Sequence, residues 1–113
     1  MSDAAALSGL RVLDLGLRAS TAWCGRLLAD YGAEVIGVEA APHPLRSEGP
    51  FSSEGTSIPS EYFLASRGIA DDATQALMAA ADVIICSDPA SAASAQANPR
   101  AIVCAITPYG LTG

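Results

Sequence analysis

Residues Gly9 to Glu39, GLRVLDLGLRASTAWCGRLLADYGAEVIGVE, constrain the fold more than any other stretch. Leu10, Val12, Leu13 and Leu15 form a short apolar run broken only by Arg11 and Asp14. That is the pattern of a strand covered on both faces in a parallel sheet. Gly16 ends the run, and Ser20 or Thr21 is placed to cap a following helix. Within that helix Trp23, Leu27, Leu28 and Tyr31 fall on one face and predict its buried stripe. Gly32 stands where a left-handed residue stops a helix. Val35, Ile36 and Val38 then supply a second strand ending at Glu39. Strand, helix and strand in this order make one βαβ unit with a right-handed crossover.

Beyond it the pattern dissolves. Residues 40–60, AAPHPLRSEGPFSSEGTSIPS, are rich in proline, glycine and serine and read as a long surface loop. His43, between two prolines, reads there as a solvated side chain, and Arg46 is the loop's one positive charge. Residues 61–67, EYFLASR, make a short apolar segment, either two helical turns or a strand, ended by Gly68. Asp71 and Asp72 precede ATQALMAAA, a helix with an aspartate cap. VIIC, residues 83–86, is a strand. Asp88 caps and Pro89 opens a helix of alanine and serine with little to bury. Asn98-Pro99 marks a turn before the last strand, residues 101–106. This alternation predicts an α/β fold, a Rossmann-like parallel sheet flanked by helices, as a single domain over residues 1–113. The chain stops in the loop TPYGLTG directly after a core strand, so the expectation is a fragment of a longer chain with an apolar edge that self-associates.

Composition narrows the function. No apolar run approaches a membrane span, and MSDAAALSG has no basic cluster ahead of an apolar segment, so a cytoplasmic location is expected. The net charge is −6 and all six basic residues are arginine. That argues against nucleic-acid binding, which uses clustered positive charge. Cys24, Cys86 and Cys104 lack metal-ligand spacing, and the chain has a single histidine, so no metal is expected. The three read as small buried hydrophobes in a reducing compartment.

The turn after the first strand is where such sheets bind phosphate. Here it holds only the first glycine of the dinucleotide fingerprint, although Glu39 stands near the spacing of a ribose-binding carboxylate. A nicotinamide-dependent oxidoreductase is therefore a weak reading. Arg18, at the carboxyl end of the first strand, is either a phosphate contact, a solvated arginine, or a partner of Glu39 or Asp14. Arg67 points toward the same edge. Asp14 is either a buried orienting carboxylate or the start of a turn hydrogen bond. No nucleophile–base pair can be assembled, since there is no G-x-S-x-G elbow.

Taken together and in order, GLRVLDLG, CGRLLADYGAEVIGVEA, YFLASRG, AADVII and NPRAIVCAITPYGLTG resemble the opening of family III CoA-transferases, the CaiB/BaiF family. This family includes carnitine CoA-transferase, formyl-CoA transferase and α-methylacyl-CoA racemase, and the resemblance runs from about Leu7 to Gly113. It implies a Rossmann-like large domain, an interlocked dimer, and CoA or acyl-CoA lying over the carboxyl edge of the sheet. It also implies a nucleophilic aspartate in a segment later than residue 113. No catalytic residue is thus assigned here, and the chain alone is expected to be inactive. The family's CoA-binding positions fall on Arg18, Ala19, Ala40, Arg67, Gly68 and Ser87, of which only Arg18 and Arg67 keep charge. Departures cluster at the ligand motifs. Gly37-Val38-Glu39-Ala40 stands for the family's K-V-E run, and Ser87-Asp88-Pro89-Ala90 replaces its N-F-R-P-G motif. A strand after Gly68 looks deleted before Asp71. Beside the enzyme fragment stands the alternative of a diverged, non-catalytic copy, acting as a homodimer or as partner to another subunit.

Overall fold

Apolar runs of strand length separated by helix formers leave one economical solution, a parallel sheet with helices on both faces. The computed structural model describes residues 5–72 and 75–111 and has this form. Its elements are β1 (Arg11–Asp14), α1 (Ala19–Asp30), β2 (Glu34–Val38), a 3-10 turn (Pro44–Ser47), α2 (Ile58–Leu64), β3 (Gly68–Ala70), α3 (Gln75–Ala80), β4 (Val83–Cys86), α4 (Pro89–Ala95) and β5 (Ile102–Ala105). The strands lie in the order β3-β2-β1-β4-β5, and every pairing is parallel.

Alternation along the strands splits the core into two layers. Val12, Val35 and Ile85 face α1, joined by Cys24 and Leu28 of that helix. Leu13, Ile84, Ile36 and Val103 face the other side, against Leu77, Met78 and Ala95. The weakly amphipathic α4 leans on this second layer through Ala95, and its Ala92 is buried as well. Asp88 caps it as predicted, accepting from the Ser91 amide at 2.8 Å, with Pro89 in the first turn. Gly32 adopts φ +103° just past α1, the left-handed stop expected there.

Four expectations need correction. The residue flanking α1 is Arg18, which makes no side-chain cap. Thr21 lies inside the helix, its hydroxyl donating to the Arg18 carbonyl at 3.0 Å. The buried face of α1 is Thr21, Ala22 and Gly25, whereas Trp23, Leu27 and Tyr31 are exposed. Trp23 instead stacks on Tyr62 with centroids 5.6 Å apart, and Arg26 lies over the Tyr62 ring. The third correction concerns the strand that looked deleted. It exists as β3, three residues paired with Ile36–Val38 of β2. Finally, His43 is 1 % exposed rather than solvated, because residues 43–47 tuck inward and bury Leu45 against Ala22 and Leu64. The predicted start of α3 falls on residues 73 and 74, outside the described residues.

Candidate functional site

Strand order reverses between β1 and β4, which makes the crevice beyond their carboxyl ends the switch point of the sheet. Two turns flank it, residues 15–18 after β1 and Ser87-Asp88 after β4. Arg18 and Ala19 sit exposed at the start of the twelve-residue α1, and Ser87, half-buried, follows β4. Ala40, exposed, follows β2 along the same rim. The fold therefore brings Arg18, Ala19, Ala40 and Ser87 to one edge. Among the described residues the Arg18 guanidinium makes no hydrogen bond or ion pair, so neither Glu39 nor Asp14 is its partner. Gly68 lies elsewhere, on the outer strand opposite Ile36, in the middle of β2.

Arg67 turns inward instead of along the rim. Its guanidinium is 3 % exposed and donates from Nη1 to Asp14 Oδ2 at 3.0 Å, and from Nη2 to the Ala22 carbonyl at 3.4 Å. The path runs between two glycines. A Cβ on Gly37 would lie 2.7 Å from Nη1, and one on Gly25 would lie 2.9 Å from Nη2. Absent side chains on β2 and α1 thus open a channel through which the edge strand reaches the central one. Asp14 realises both alternatives read from the sequence. It is buried and paired, and its Oδ1 accepts from the Gly16 amide at 2.8 Å, fixing the β1–α1 turn. Burial pushes its carboxyl above the ordinary 3.8, with the Arg67 charge and the Gly16 amide opposing.

A second polar cluster braces the β2 end of the rim. Arg46 makes a fork onto Glu39, Nε to Oε1 at 2.8 Å and Nη2 to Oε2 at 2.7 Å, and the His43 amide donates to Oε1 at 2.8 Å. The Arg46 hydrogen bond chiefly holds Glu39 down at about 2, against the cost of burial. His43 Nδ1 accepts from the Leu45 amide, so the neutral ring carries its proton on Nε2. Burial lowers its pKa, with Glu39 and Asp14 opposing. Sequence reading missed this clamp and the glycine channel. The available signal was the pair Gly25 and Gly37, each placed where a bulky residue would be ordinary. A concavity lined by Met78, Ala97 and Arg100 lies away from this edge, between α3 and the turn before β5.

The carboxyl edge of this Rossmann-like sheet thus carries, among the described residues, the unpaired guanidinium of Arg18 beside the switch point. Comparison with known proteins identifies the family. Residues 7–113 match the family model described as CoA-transferase family III. The chain belongs to CoA-transferase family III. Among curated proteins it is similar to a succinate–glutarate CoA-transferase of Agrobacterium fabrum, 32% identical over 95% of this chain and 33% of that protein. A 36-residue stretch is 56% identical to a probable CoA-transferase, Rv1866, of Mycobacterium tuberculosis, covering 32% of this chain and 4% of that one. Among solved structures, a CaiB/BaiF family protein from Brucella suis superposes with TM-score 0.74 at 31% identity, over 98% of this chain and 35% of that one. Rv3272 from M. tuberculosis gives TM-score 0.77 at 26% identity, over 99% and 37%. This family III chain thus spans about a third of the length of such relatives. Among its described residues no helix is long and apolar enough to cross a membrane, and no cluster of three metal-ligating side chains occurs.

Proposed function

We propose that this chain forms the N-terminal part of a cytoplasmic enzyme acting on acyl-CoA thioesters, by CoA transfer or racemisation, and that it binds CoA across the β1–β4 switch point. The observation that carries this is the unpaired Arg18 guanidinium at the mouth of the crevice, next to the amino end of α1. A CoA phosphate there meets the guanidinium and the unpaired first-turn amides of the helix. Ala19, Ala40 and Ser87 lie along the same rim and offer small side chains that let the ligand approach the backbone. In this reading Arg67 and Gly68 act indirectly. Arg67 holds Asp14 and so the β1–α1 turn, while Gly68 begins the strand that carries Arg67. The nucleophilic aspartate comes from a later segment, in a homodimer or a heteromer, so this chain contributes binding and not bond-making.

Calorimetric titration of CoA into the protein tests the reading. Arg18→Glu is expected to weaken binding about 10- to 100-fold, the worth of one charge-assisted hydrogen bond with a phosphate. A second reading is favoured by a separate observation. Arg46 and Arg67 are both committed to internal carboxylates, which leaves the rim poor in positive charge. In that reading the chain is a diverged partner copy that no longer binds CoA. Micromolar CoA binding lost in Arg18→Glu supports the first reading, and absence of heat on titration supports the second.

A further inference from the structure

The 3-10 turn that follows β2 is held down through one imidazole. His43 caps the turn, its Nδ1 accepting from the Leu45 amide at 3.1 Å while its own amide donates to Glu39 Oε1 at 2.8 Å. So fixed, Leu45 packs against Ala22 of α1 and Leu64 of α2, and Arg46 reaches back to fork onto Glu39. The Leu45 carbonyl accepts from the Ser57 hydroxyl, which in turn caps α2.

A ring nitrogen that accepts a hydrogen bond in neutral histidine becomes a donor when the ring takes a second proton. The imidazolium would set Nδ1–H against the Leu45 N–H. His43 is 1 % exposed, and its Nε2 has no partner among the described residues, so the closed turn solvates the charged ring poorly. Glu39 at the end of β2 and Asp14 of β1 favour that charge, whereas Arg67 before β3 and Arg46 of the turn itself oppose it. From α1 and α2 the turn meets the apolar Ala22, Leu64 and Phe63. With charges of both signs around the ring, burial decides, and relief lies in turning it out to water.

We propose that His43 is a proton-operated latch, which on protonation releases residues 43–47 from α1 and α2 while the parallel sheet stays folded. Opening withdraws Leu45 from its apolar seat, lifts Arg46 off Glu39 and loosens the rim at Ala40, the residue next to Glu39. The closed turn holds the ring's proton affinity below its ordinary 6.5. The open form therefore gains population as pH falls below that value, by up to about tenfold per pH unit for one proton. Glu39, held at about 2, stays charged through this range and is not the trigger. The proposal stands on the capping geometry and holds whether or not the rim binds CoA.

Amide hydrogen exchange of the folded full-length protein between pH 7.5 and pH 5, corrected for intrinsic pH dependence, tests it. The amides of His43, Leu45, Arg46 and Glu48 are hydrogen-bonded in the closed turn and report on it, with those of β4 as reference. Their protection is expected to fall below pH 6.5 in step with the His43 imidazole titration seen by NMR, while β4 stays protected. His43→Asn keeps an acceptor at the cap without a titrating ring and should stay closed at pH 5. Protection that does not change with pH, or a loss that β4 shares equally, overturns the proposal. So does an acid response persisting in His43→Asn, which would assign it to Asp14. The wild type decides without the variant: a ring that titrates under a protected turn, or a turn that opens around a neutral ring, also overturns it.

Discussion

Replacing Arg67 by methionine tests the internal ion pair most directly. The substitution keeps an unbranched apolar stem in the Gly25–Gly37 channel and removes the charge. Asp14, 1 % exposed, then keeps its bond from the Gly16 amide but loses the guanidinium 3.0 Å away. Leaving one half of a buried pair uncompensated costs about 3–5 kcal/mol at neutral pH. That cost depends on pH. Asp14 already has a raised pKa, so its contribution to stability is fully present below the ordinary 3.8 and is lost as pH rises through the raised value. Without Arg67 the folded-state pKa climbs further, the window extends upward, and each added pH unit within it removes about 1.4 kcal/mol. The difference between wild type and Arg67→Met should therefore be small near pH 4 and full at pH 7. Urea denaturation at several pH values reads it, and the double variant Asp14→Asn/Arg67→Met should recover most of the loss, since an amide still accepts from Gly16. A pH-independent penalty, one below about 1 kcal/mol at pH 7, or no recovery in the double variant would refute the argument.

Three further outcomes are expected. Glu39 falls from an ordinary 4.5 to about 2, so its clamp contributes stability above pH 4.5 that is lost as pH falls toward 2; with Arg46 34% exposed the loss is discounted to about 2 kcal/mol, and Glu39→Gln should abolish that acid slope in denaturation curves. His43, with its pKa lowered by burial, contributes stability that is complete above 6.5 and declines as pH falls below it; His43→Gln should flatten the urea midpoint between pH 6.5 and 5. The Asn98 amide donates to the Met78, Ala79 and Ala81 carbonyls at the end of α3; Asn98→Ala should cost about 2–3 kcal/mol in the same assay, because the Ala81 carbonyl loses its donor while Met78 and Ala79 keep only the Ala81 amide and Arg100.

The sheet was legible because its signals are local and unopposed. Apolar strand runs, the Asp88-Pro89 cap and Gly32 each act within a few residues. The orientation of α1 was not legible, because its inner face is built from Thr21, Ala22 and Gly25. Of these Gly25 leaves the space that Arg67 occupies, and smallness leaves no mark in a hydrophobicity pattern. The solvated reading of His43 failed because its burial depends on Leu45 docking against Ala22 and Leu64, contacts between distant parts of the chain. β3 has three residues, too few for any period to register. At the rim, Arg18 was placed correctly at the end of β1, but sequence left its partners open. The inward course of Arg67 follows from side chains that are missing at Gly25 and Gly37.

The guanidinium threaded under α1 changes how the sheet opens. A three-residue edge strand ordinarily frays, exchanging its amide hydrogens through local excursions that leave the rest of the domain intact. Here the residue just before β3 is anchored on Asp14 of β1, two strands inward. Peeling β3 away must draw Arg67 out of its channel and strand a carboxylate beneath the helix. The outermost strand on this side is thereby coupled to the innermost, and its amides should exchange with the slow cohort of the core rather than with the fast periphery.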